Sequence, residues 1–159
     1  MGIIHGLIGT LWLGLHGTNI LFLVPDMRKA EKLADVPMLR LMPRLSMTGM
    51  VLGILTLVTG VIFMFVKWGT NFGVYSSDPE ARTVVGGFVI VLIVLVFGMG
   101  FLRPRGMALG KRAAELKPMD PLPEDFKGDM KKLATMLHIS GILVALAFVT
   151  MILAINGGI

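Results

Sequence analysis

The chain has 159 residues, of which 55% are apolar and only 16% charged, and its mean hydropathy is +0.81. A soluble domain of this size does not tolerate that balance, so water is not the main solvent of this protein. There is no cysteine, which excludes a disulfide framework and any thiolate-held metal or iron–sulfur centre.

A membrane-spanning helix needs roughly 20 mostly apolar residues, and four stretches reach that length without Asp, Glu, Lys or Arg: 3–24, 45–66, 83–102 and 133–155. The first has no basic residue before it, outruns the apolar core of a secretion signal and is interrupted by His5, Trp12, His16 and Asn19, so it is expected to be a retained span. The connection that follows, PDMRKAEKLADVPMLRLMPR, contains a short amphipathic stretch between Pro25 and Pro43 that is expected to lie along the membrane surface, its basic residues meeting lipid headgroups. After the second span, KWGTNFGVYSSDPEAR offers Trp68 and Tyr75 to an interfacial aromatic belt. The third span is extended by RPRGMALGKRAAELK, a good helix former. PMDPLPEDFKGD, with three prolines in six residues, then predicts a surface loop before the last span.

The formal charge of +5 lies where topology, not nucleic acid, explains it. Arg28, Lys29, Lys32, Arg40 and Arg44 fall between the first two spans, and eight further Lys and Arg residues from Arg103 to Lys132 between the last two, whereas the middle connection has only Lys67 and Arg82. The positive-inside rule therefore predicts a multi-pass protein of the cell membrane with cytoplasmic basic loops and both termini outside. The expected partner is the lipid bilayer, together with other membrane subunits and no nucleic acid. Short connections and no internal repeat predict one all-α transmembrane domain over residues 1–159, an up-down-up-down four-helix bundle held through small residues such as Gly9, Gly14, Gly53 and Gly87.

All three histidines fall inside spans, and an ionisable group at membrane depth is a functional candidate by default. His5 and His16, eleven residues apart, share one helix face with Gly9, Trp12 and Asn19 but sit roughly 16 Å apart along the axis, too far to hold one ion. Depth pairs His16 with His138 instead: counted from the cytoplasmic ends of their antiparallel spans, they lie about 12 and 8 Å deep. Two imidazoles at one level without carboxylate or thiolate suit axial ligation of haem b, with Gly9, Gly17 and Gly141 giving a macrocycle room. The plainer alternative is interhelical hydrogen bonding to Ser140, Thr56, Thr59 or Asn19. Thioethers ligate copper(I) or haem iron, and among thirteen methionines Met38, Met42, Met47 and Met50 cluster at the start of the second span. No carboxylate pair, activated nucleophile, phosphate loop or metalloprotease motif is present, which argues against a hydrolase or phosphotransferase.

HGLIGTLWLGLHGTNILFLVP, with His5 seven residues before Trp12 and Gly14 two after it, followed by a basic segment and by LTLVTG, resembles the small membrane proteins of the copper-resistance D type. It is also similar to the HemJ-type protoporphyrinogen oxidases. The resemblance covers the first two spans and implies copper uptake or haem-dependent oxidation, with His5 as the ligand from the first helix. The lysine that the HemJ pattern expects within a later span has no counterpart, since Lys67 and the other lysines lie in connections. Three functions follow as expectations. The first is a haem b electron-transfer protein using His16 and His138. The second is a copper-handling protein with a metal path through His5, His16 and methionines. The third is a non-catalytic scaffold subunit.

Overall fold

The computed structural model describes residues 2–158. They form the expected all-α bundle of four long helices, α1 (Gly2–Lys29), α2 (Pro37–Trp68), α3 (Pro79–Glu115) and α4 (Glu124–Ile155), each long and apolar enough to cross a membrane. Among the described residues there is no strand, only an isolated bridge between Lys32 and Pro121. Each helix packs on the next in sequence and α4 closes the ring on α1.

The helices outrun their apolar stretches, and two prolines show how. A proline removes one helical N–H and presses on the carbonyl four residues earlier. Pro25 and Pro104 would press on Leu21 and Gly100, and at both places the helix widens into a π turn, Asn19–Leu23 and Gly98–Leu102, then continues. The proline that the sequence reading takes as the end of the first span is therefore passed, and α1 runs on to Lys29.

The segment between α1 and the apolar part of α2 is not a free amphipathic stretch. It folds into a 3₁₀ turn, Leu33–Asp35, followed by the 3₁₀ opening of α2, Pro37–Leu41, and Leu33, Leu39 and the intervening Val36 are buried in one cluster with Leu109, Phe126 and Met130. The spacing of three residues matches the 3₁₀ repeat and keeps these side chains on one face. Asp35 Oδ2 accepts the N–H groups of Glu31 and Lys32 at 2.9 Å each. The two basic connections are also tied to each other: Leu122 N–H donates to Glu31 O at 2.8 Å, Ala34 N–H to Pro118 O at 2.9 Å, and Lys127 pairs with Glu31. This basic end is thus a packed cap with its own apolar core.

At the other end, α2 stops at Gly69, whose φ of +66° is the left-handed conformation that favours glycine. Tyr75 donates to Gly69 O at 2.9 Å, with its ring 6.2 Å from that of Trp68. Pro79 opens α3 and Asp78 caps it, accepting the Ala81 N–H at 3.1 Å.

In the middle of the bundle Trp12, Val91, Val94, Leu95, Val144 and Ala147 form a second apolar cluster. The closest helix approaches involve only some of the glycines. A Cβ on Gly53 would lie 2.7 Å from Leu95 and 3.0 Å from Trp12, and one on Gly141 2.2 Å from Ile20, whereas Gly14, Gly17 and Gly86 have nothing within 4 Å. The expected glycine contacts therefore hold for Gly53 and Gly87, while Gly14 faces away from the neighbouring helices.

Candidate functional site

His138 is the residue whose surroundings depart furthest from expectation. The buried stripe of α4 runs through Leu137, Ser140, Gly141, Val144 and Ala147. His138 is one step of about 100° past Leu137 and two steps before Ser140, which turns it outward, and it is exposed. Its depth is as expected, because Gly141 seats α4 against the backbone of α1 at His16, where an added Cβ would fall 3.8 Å from His16 O. The level is right and the face is wrong, so the pairing of His16 with His138 is corrected: the two imidazoles do not converge on a common centre inside the bundle.

His16 turns inward and is half-buried. Its Nδ1 lies 3.0 Å from Trp12 O, its ring meets the Trp12 indole edge-on at 5.3 Å, and it borders a small cavity of about 80 Å³ at the basic end. A carbonyl only accepts, so Nδ1 carries the proton and Nε2 is the bare nitrogen. Met42 and Met50 border the same cavity, while Met47 is exposed and Met38 packs against the basic-end core, so the methionine cluster read from the sequence is split.

His5 is buried at the opposite end, at the wall of a cavity of about 370 Å³ lined by Gly6, Thr56, Phe63, Phe88 and Phe148. Thr59 Oγ1 lies 3.1 Å from His5 Nδ1 and 2.7 Å from Leu55 O. Nε2 lies 3.1 Å from Met151 Sδ. With Nδ1–H donating to Thr59, Nε2 keeps a lone pair; in the other tautomer Nε2–H donates to the thioether of Met151, and the contacts are compatible with both. Gly60 makes the position possible, since a Cβ there would stand 3.1 Å from the imidazole Cε1. Three helices thus build one site: α1 supplies the imidazole, α2 holds it through Thr59 and α4 brings the thioether. Glu80, paired with Lys67, borders the cavity, and Met64 offers it a second sulfur.

The hydrogen bond between His5 and Thr59 is of the plain interhelical kind expected for the histidines. Met151 is a site residue that the sequence reading misses, although a signal exists: it continues the buried stripe through Ser140, Val144 and Ala147 at spacings of four, three and four. Among the described residues no three His, Asp or Glu side chains gather as a metal site. The nitrogen and sulfur donors present are those of a soft monovalent ion rather than of a hard or borderline divalent one. No family model, curated protein or solved structure matches the chain.

Proposed function

We propose that this protein handles copper(I) within the cell membrane, binding it between His5 Nε2 and Met151 Sδ. The observation that carries the reading is that His5 Nε2 and the thioether sulfur of Met151 stand 3.1 Å apart beside a cavity, where copper(I) would take the place of any proton on Nε2. Metal–nitrogen and metal–sulfur bonds of about 2.0 and 2.3 Å at a trigonal angle require the donors to stand roughly 3.8 Å apart. The flexible Met151 side chain supplies the missing ~0.7 Å by a small rotation, and Met64 lines the same cavity. Thioether and imidazole together select copper(I) over magnesium, calcium or manganese. With the basic connections on the cytoplasmic side, the His5 site opens toward the exterior, where a copper-uptake protein would first take its cargo.

A second reading is favoured by the size of the same cavity. About 370 Å³ of apolar space with one free imidazole in its wall also suits haem b held by His5, the helix-one ligand that the resemblance implies. One titration separates the two. Purified protein should bind copper(I) stoichiometrically in competition with a chromogenic chelator, and His5→Ala and Met151→Leu should each abolish that binding. Full copper(I) affinity in both variants would remove the proposal, and b-type bands in the dithionite-reduced spectrum that vanish in His5→Ala would install haem in its place.

A further inference from the structure

The basic-end cavity is lined by Asn19 and Ser140, whose Oδ1 and Oγ are the two side-chain polar atoms that the bundle leaves buried without a hydrogen-bond partner among the described residues. Asn19 is 8% exposed and Ser140 1%. Isolation of this kind is unusual within this protein. Buried Thr56 donates to Leu52 O at 2.8 Å and buried Thr83 to Pro79 O at 2.8 Å, the ordinary refuge of a helical hydroxyl, and Ser140 takes no such bond. Burying an amide oxygen and a hydroxyl unpaired is costly, and native interiors meet that cost with ordered water.

Three further groups converge on the same space. His16 presents its bare Nε2, Ser46 a hydroxyl, and Arg103 a half-buried guanidinium whose Nη1 meets only the weak acceptor Met50 Sδ, at 3.5 Å. Both π turns flank it: Asn19 opens one, and Gly98, Met99 and Leu102 belong to the other. π turns recur at functional sites because they aim polar groups away from the regular ladder. The fixed positive charge of Arg103 makes the cavity a poor second stop for a copper ion, while its mixture of donors and acceptors suits a neutral dipolar ligand.

We propose that this cavity is a hydration site, holding a cluster of ordered waters bound by Asn19, Ser140, Ser46 and His16 and leading from Arg103 at the basic end to the His16 imidazole. Its volume of about 80 Å³ accepts two or three waters at about 30 Å³ each. The column ends at the Trp12 and Leu95 cluster, which separates it from the cavity at His5. His16 thereby has a water-borne route to the basic end, and His5 does not share it. Nothing in this route depends on what His5 binds.

Hydroxyl-radical footprinting by X-ray radiolysis of the intact protein in detergent, read by mass spectrometry, tests it, because radicals formed from bound water oxidise adjacent side chains even when these are buried. Met42, Met27 and Met130 are 3%, 1% and 0% exposed, but only Met42 borders the cavity. Met42 should oxidise several-fold faster than the other two, and Ser140→Ala combined with Asn19→Leu should bring it down to their rate. Equal protection of all three in the unaltered protein would overturn the proposal, as would a Ser140→Ala variant that keeps the Met42 rate and unfolds at a higher temperature, the behaviour of a dry orphan hydroxyl.

Discussion

Replacing Gly53 by alanine adds one methyl group where α1, α2 and α3 meet. Its carbon would stand 2.7 Å from Leu95 Cδ2 and 3.0 to 3.1 Å from two ring atoms of Trp12. Leu95 has a flexible end, but the indole is rigid, and the two side chains are only 6% and 3% exposed. Overpacking of this kind costs about 1–3 kcal/mol, and two simultaneous close contacts put it in the upper part of that range. Replacing glycine in a helix returns about 1 kcal/mol through propensity, leaving a net loss of about 1–2 kcal/mol. Gly14→Ala is the matched control, since nothing lies within 4 Å of its Cβ and only the gain remains. The two variants, about 2–3 kcal/mol apart, should therefore unfold at temperatures separated by roughly 4–12 °C, followed by far-ultraviolet circular dichroism in detergent. A Gly53→Ala protein as stable as Gly14→Ala would refute the packing assigned to the middle of the bundle.

Three further outcomes are expected. His138→Ala should change unfolding by no more than about 0.5 kcal/mol and leave copper binding intact, because the side chain is exposed and turned away from both cavities; loss of binding in a calorimetric titration would restore His138 to the site. Thr59→Val removes the hydroxyl that holds His5 Nδ1 while leaving both metal-donor atoms in place, and should weaken copper(I) binding by about 10–100-fold in the chelator competition. The Lys32 N–H, and after it the Glu31 N–H, hold the Asp35 carboxyl below its ordinary range. The stability that this carboxylate adds is complete above the unfolded value of about 4 and lost as pH falls through the lower folded value, so Asp35→Asn should be less stable than the parent at neutral pH and converge with it in acid, as followed by thermal unfolding across that range.

Hydropathy made the four spans legible, since a helix is what satisfies the backbone of 20 apolar residues in lipid, and the neighbouring of α1 and α4 followed from short connections. Helix ends were harder to read. Pro25 and Pro104 carry the same local signal as a terminator, and only the π turns beside them let the chain continue. Leu33, Val36 and Leu39 were visible as apolar residues in a basic segment, but the surface that buries them is supplied by residues far along the chain, Leu109 to Leu133.

The site divides in the same way. Helical phase placed His5 and His16 on the inner face of α1 correctly because five polar or small residues mark that face. On α4 a single histidine among apolar neighbours gave depth without phase, and the stripe of Leu137, Ser140, Gly141 and Val144 decided against His138. The same stripe, followed further along the helix, passes through Met151 to Ala154.

X-ray absorption at the copper edge of protein loaded with one equivalent of copper(I) tests the pairing of His5 with Met151 most directly. The expected spectrum is that of a low-coordinate ion with one nitrogen at about 2.0 Å and one or two sulfurs at about 2.3 Å, the sulfur shell losing a scatterer in Met151→Leu. A copper shell of nitrogen and oxygen alone, unchanged in that variant, would contradict it.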